Sequence, residues 1–214
     1  GELVVIDTST WDAWNVPLAA TVKGGVAIGG PSGGSTLFAG LSDGTMGAWA
    51  LTSGGVPGEL VPFVVGGDPL AVEADGSTLY ALVDTVDYGP VLESYVVNTR
   101  TPTGVAAADL GADGFSDMGA RLSMDADGSS ATITYLYVTH GGSKVSRISV
   151  STSAMTPGLN ESTGGSQDYD DLWAVDGLST TWFVNGGSAS SISSVSSDTA
   201  NFDIKDTSSP ALGD

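Results

Sequence analysis

A segment that returns four times limits this chain more than any single residue does: an apolar strand, a short Gly/Asp/Ser turn, then a second strand carrying an aromatic residue. The copies are Val26-Ala27-Ile28 with Ser35-Thr36-Leu37-Phe38-Ala39, Leu70-Ala71-Val72 with Thr78-Leu79-Tyr80-Ala81, Leu122-Ser123-Met124 with Tyr135-Leu136-Tyr137-Val138, and Trp173-Ala174-Val175 with Thr181-Trp182-Phe183-Val184. Phe38, Tyr80, Tyr137 and Phe183 lie 42, 57 and 46 residues apart. These intervals bracket the period of roughly 40–50 residues expected when each repeat is a four-stranded propeller blade.

Each copy is followed by a further alternating segment: Met46 to Leu51, Val91 to Val97, Val145 to Val150 and, more weakly, Ser191 to Val195. Period-two alternation marks a half-buried strand. The opening Leu3-Val4-Val5-Ile6 matches this third strand, so the chain reads as starting in mid-blade. Many Gly, Ser and Thr turns separate short apolar runs, and no run shows helical spacing. The expected class is all-β: a β-propeller of four to five blade repeats, or an arc of a larger propeller. Residues 1–214 read as one domain, with a half-blade over 1–20 and repeats near 24–65, 69–104, 120–160 and 172–205.

The string Val5-Ile6-Asp7-Thr8-Ser9-Thr10, followed by an apolar-x-apolar strand, a Gly/Asp-Gly-Ser turn and Thr-Leu-Tyr, resembles the YVTN-type β-propeller repeat, most clearly over residues 1–150. The resemblance implies a propeller. It also admits an enzyme, because propellers of related repeat type include lactone-cleaving enzymes that generally hold a divalent metal on axial acids and amides.

Lys and Arg number 6 against 25 Asp and Glu, a formal charge of −19, so a nucleic-acid backbone or an anionic membrane is repelled. No apolar run approaches the roughly 18 residues that cross a bilayer, and no basic or hydrophobic signal core stands at Gly1. Cysteine is absent, which removes disulfides, thiol nucleophiles and thiolate metal sites. Asn160-Glu161-Ser162 is a glycosylation sequon compatible with secretion.

Little of the remaining chemistry rises above turn composition. His140, the single histidine, follows a strand without a Gly-x-Ser-x-Gly elbow, so a surface turn is its first reading and a Ser-His-Asp relay its second. Glu73 and Asp125 each follow an apolar strand, and together with Asp176 they are the acids that would converge in an axial funnel if the chain were a hydrolase. Asp125 and Asp127, in Asp-Ala-Asp-Gly, read first as a repeat turn and second as a Ca2+ site, since calcium takes several hard oxygens from a flexible loop. Asp113 to Asp117 and Asp168 to Asp171 are similar acidic clusters. Gly29 to Gly34 lacks the lysine and helix of a phosphate cradle and is a loop. Most aromatics belong to repeat strands and to the core, whereas Trp11 and Trp14 flank a turn and form a candidate partner or carbohydrate contact.

The leading expectation is therefore a non-enzymatic, extracytoplasmic recognition or scaffold module. It would be a structural subunit of an envelope layer, filament or virion, with other protein subunits or surface glycans as partners and assembly with itself or with others open. The alternative is a lactonase-like or glycosidase-like hydrolase that uses acids in the central funnel.

Overall fold

The computed structural model describes residues 3–30, 34–74, 76–87, 89–110, 121–126, 133–140, 144–151, 153–162, 169–174, 180–185, 191–196 and 204–206. Among them every regular element is a strand, the sheets are antiparallel and none closes on itself. No helix is long and apolar enough to cross a membrane among the described residues. The chain divides into two compact units, Gly1–Ala107 and Ala108–Asp214.

The first unit opens with a hairpin of β1 (Val4–Ile6) and β2 (Ala13–Asn15), with Val5 opposite Trp14. Next comes the sheet β3 (Val22–Gly29), β4 (Thr36–Leu41), β5 (Thr45–Leu51) and β6 (Pro57–Val64), paired in chain order. A second antiparallel run follows in β7 (Asp68–Ala74), β8 (Thr78–Thr85) and β9 (Gly89–Val96). The β4–β5 turn shows how the sequence sets such a connection. Gly44 takes a left-handed φ of 82° that a side chain would resist, and the Asp43 carboxylate accepts bonds from the Thr45 amide at 3.0 Å and hydroxyl at 2.7 Å.

Period-two alternation sends the side chains of β4 and β5 to opposite faces, and both faces are covered. Leu37, Ala39, Leu41 and Trp49 pack with Val16 and with Leu3, Val5 and Leu18 of the hairpin region. Phe38, Met46 and Ala48 pack the other way, against Val72, Leu79, Ala81 and Val83 of β7 and β8. Edge-to-face ring contacts continue this second face: Phe38 to Phe63 at 6.4 Å between centroids and Phe63 to Tyr95 at 5.8 Å. Burying each large side chain contributes about 1.5–3 kcal/mol. The indole N–H of the fully buried Trp49 donates to the Pro17 carbonyl at 2.9 Å, so its polar edge is satisfied.

The turn between β1 and β2 and the turn that follows β9 share one geometry. Trp11 N–H donates to Asp7 O and Asp7 N–H to Asp12 O, while Arg100 N–H donates to Val96 O and Val96 N–H to Thr101 O. Trp11 and Arg100 occupy the same place in this turn, and they are the described non-glycine residues with positive φ, at 63° and 58°. Gly55, at 78°, serves in the one-residue-shorter version between β5 and β6.

The second unit begins with β10 (Ala108–Asp109) and contains two four-stranded sheets. One is β11 (Arg121–Ala126), β12 (Ile133–His140), β13 (Lys144–Val150) and β14 (Met155–Ser162); the other is β15 (Tyr169–Ala174), β16 (Thr180–Asn185), β17 (Ser191–Ser196) and β18 (Ile204–Asp206). Leu136 and Ile148 sit opposite each other on β12 and β13, and both are fully buried.

In the first unit β3 and β7 lie side by side, and Gly40 on β4 marks how closely. A Cβ there would fall 2.5 Å from the Lys23 carbonyl oxygen and 2.7 Å from Pro69 Cβ. Neither neighbour is the free end of a flexible chain, so Gly40→Ala should destabilise the protein by about 1–3 kcal/mol through overpacking. A denaturation midpoint unchanged from wild type would show that β3 and β7 can separate at no cost.

Candidate functional site

The inner strands of the first unit bring its site together. Lys23, on β3, pairs with Asp68 at the start of β7; both are partly exposed, and such a pair contributes about 0–1 kcal/mol. At the other end of β7, Glu73 lies between Val72 and Ala74, which belong to the core. Glu73 is partly buried, and its carboxylate accepts a long hydrogen bond of 3.4 Å from the Ala74 amide. Removal from water dominates: burial pushes the Glu73 carboxyl up from its ordinary 4.5 to about 7, with the Ala74 N–H opposing the shift.

Glu73 borders a half-open cavity of about 450 Å³. The rest of the described wall is aliphatic: residues 3–6 of the N-terminal segment, Val26, Ala27 and Ile28 on β3, and Leu37 on β4. Val4, Ile6, Val26 and Ile28 are 42%, 53%, 47% and 55% exposed, so the apolar wall is open to solvent. An apolar recess that holds a titratable group with a raised pKa is a candidate small-molecule site.

A second carboxylate, Glu93 on β9, has a different role. It accepts bonds from the Gly66 amide at 2.9 Å and from the Tyr95 hydroxyl. Burial and the adjoining Glu93 carboxylate push the Tyr95 hydroxyl upward, so it stays a donor. Glu93 thus ties the β6–β7 connection to β9. Asp7, by contrast, is an exposed turn carboxylate held below its ordinary value by the Ser9 hydroxyl and amide.

The other described residues singled out by the sequence stand outside β7. Asp125 occupies the next-to-last position of β11 in the second unit, beside a β-bulge, while Asp127 and Asp176 lie outside the described residues. His140 ends β12 with Lys144 as its strand partner. Trp11 is 77% exposed in its turn, whereas Trp14 is partly buried on β2. Among the described residues no three His, Asp or Glu side chains gather as metal ligands. Among the described lining residues Glu73 alone would offer a divalent cation a carboxylate, with aliphatic side chains around it, a donor set that does not fit an ion taking six or more oxygens.

No family model and no curated protein matches the chain. Solved structures do share its fold. A periplasmic gluconolactonase of Pseudomonas aeruginosa aligns with a TM-score of 0.65 at 12% identity, over 94% of this chain and 61% of that one. A candidate 6-phosphogluconolactonase of Bacteroides uniformis aligns at 0.59 and 13% identity over 95% and 62%, and one of Bacteroides fragilis at 0.55 and 11% over 99% and 78%. The chain therefore spans about three fifths of the length of the first two. These neighbours overturn the expectation of a non-enzymatic scaffold or recognition subunit, because they are named as lactone hydrolases and none as a structural component. Composition misled here: an acidic, Gly/Ser/Thr-rich surface and the lack of a motif describe the exterior and the turns, and neither reports on a recess made by packing.

The raised Glu73 value has a consequence for stability. Between pH 4.5 and about 7 the folded protein keeps a proton that the unfolded chain has released, so stability falls as pH rises through that window and levels off above it. The fall amounts to no more than about 3 kcal/mol. Glu73→Gln should remove this part of the slope in urea midpoints measured against pH; an identical slope in wild type and variant would place the carboxyl in water.

Proposed function

We propose that this chain is part of a lactonase-like β-propeller hydrolase in which each four-stranded sheet is a blade and Glu73 handles the proton. The observation that carries the reading is a carboxyl of pKa about 7 on the wall of a cavity, in a fold shared with lactone hydrolases. A group titrating near the working pH can both take and return a proton, which general acid–base catalysis requires.

In this reading ionised Glu73 takes a proton from water as the water oxygen bonds to the lactone carbonyl carbon. The tetrahedral intermediate then collapses, the ring C–O bond breaks, and the proton on Glu73 passes to the departing ring oxygen. One lactone and one water give one hydroxy acid, which ionises in solution. The aliphatic wall contributes by keeping the carboxyl poorly solvated and by holding the ring away from bulk water. A location outside the cytoplasm belongs to the same proposal; one structural neighbour is named as periplasmic.

The test is a pH-stat assay on γ- and δ-lactones. Activity should rise with an apparent pKa near 7, following ionisation of Glu73, and Glu73→Gln should lower kcat by about 10²–10⁴-fold. Full activity in Glu73→Gln would reject its role, and no hydrolysis of any lactone by the wild type would reject the function.

A further inference from the structure

We infer that the Glu73 cavity takes a lactone whose ring carries an unbranched aliphatic chain and no phosphate. This rests on the hydrolase reading for the word lactone; the preference for a hydrocarbon chain rests on the wall alone. Eight of the nine described lining residues are aliphatic, and none is Lys, Arg or His. A phosphate entering this recess would give up its water without meeting a cation and would approach a carboxyl, both of which disfavour binding. A ring bearing several hydroxyls fares little better, since aliphatic walls return none of the hydrogen bonds that the hydroxyls leave in water.

A hydrocarbon chain meets the opposite situation. Val4, Ile6, Val26 and Ile28, each between 42% and 55% exposed, leave apolar surface in water that a chain would cover. Transfer of one methylene onto such a surface multiplies affinity about fourfold. At about 450 Å³ the recess has room for a ring and a chain together, being within the range of about 300–1,000 Å³ usual for small-molecule sites. The placement also divides the labour: the ring goes to Glu73, where the proton is exchanged, and the chain to the residues of β1 and β3. Ile28 and Val26 become specificity residues that touch the chain without taking part in bond making.

Calorimetry with non-hydrolysable γ-lactams bearing ethyl, butyl, hexyl or octyl chains, and with a phosphorylated sugar lactam, separates the chain preference from turnover. Affinity should climb about threefold to fourfold per methylene until the recess is full, and the phosphorylated probe should bind more weakly than the hexyl one. Ile28→Ser should weaken the hexyl lactam about 5–10-fold and leave the ethyl one nearly unchanged. The near-isosteric Val26→Thr provides the same comparison should the serine variant fold poorly. Affinity independent of chain length, or tighter binding of the phosphorylated probe, overturns the inference. Chain-dependent lactam binding without hydrolysis of the matching lactones would uphold the chain-binding recess and retire only the hydrolase reading.

Discussion

Covering both faces of β4 and β5 is the constraint on which the first unit depends. Leu37, Ala39, Leu41 and Trp49 must be sheltered on one side and Phe38, Met46 and Ala48 on the other. The hairpin region provides one cover and β7 and β8 the other, and loss of either would return a row of large apolar side chains to water at about 1.5–3 kcal/mol each. The glycines of these strands follow from the same crowding. Gly47 leaves space for the Trp49 ring, whose Cη2 would stand 2.5 Å from an added Cβ, and Gly40 lets β4 meet Lys23 and Pro69. Side-chain identity at these positions is set by what lies across the interface.

The site grows from the edge of that arrangement. β3 ends the paired order of its sheet, so its alternation is covered on one side alone: Ala27 enters the core while Val26 and Ile28 remain open. Beside it β7 carries Glu73 to the recess wall. The desolvation that raises this carboxyl to about 7 works against folding at neutral pH, and the proposed hydrolase would use the same property for proton exchange. A carboxylate satisfied in the manner of Glu93, with an amide and a hydroxyl donating to it, serves cohesion instead. Two glutamates of one sheet, with β8 between their strands, thus differ through the groups around them.

The strands themselves were legible because alternation is a local property. Met46 to Leu51 reads as a strand and forms β5, and Ser191 to Val195, weak as its pattern is, lies in β17. Turn chemistry was partly legible: Asp43-Gly44 announces its geometry, whereas Trp11 reads as a contact residue and its left-handed conformation becomes intelligible only beside Arg100, which makes the same pair of backbone bonds. Glu73 drew attention as an acid following an inner apolar strand. Its shifted titration had no sequence signal, since that depends on atoms brought near from elsewhere, and the open valines and isoleucines of β1 and β3 read simply as the buried side of half-buried strands.

By itself the sequence determined the all-β class, the places of most strands and the chemistry of several turns, because periodicity, β-branching and the Asp-Gly pair act over a few neighbouring residues. It also shows that thiol chemistry has no cysteine to use in these 214 residues and that an excess of 19 negative charges weighs against polyanions. Tertiary structure alone decided which acid became a poorly solvated carboxyl, which alternating residues were left open, and that they share a recess. Solvation is the physical reason: a carboxyl's proton affinity and an isoleucine's exposure depend on how much water the surrounding strands exclude, and those strands lie tens of residues away along the chain.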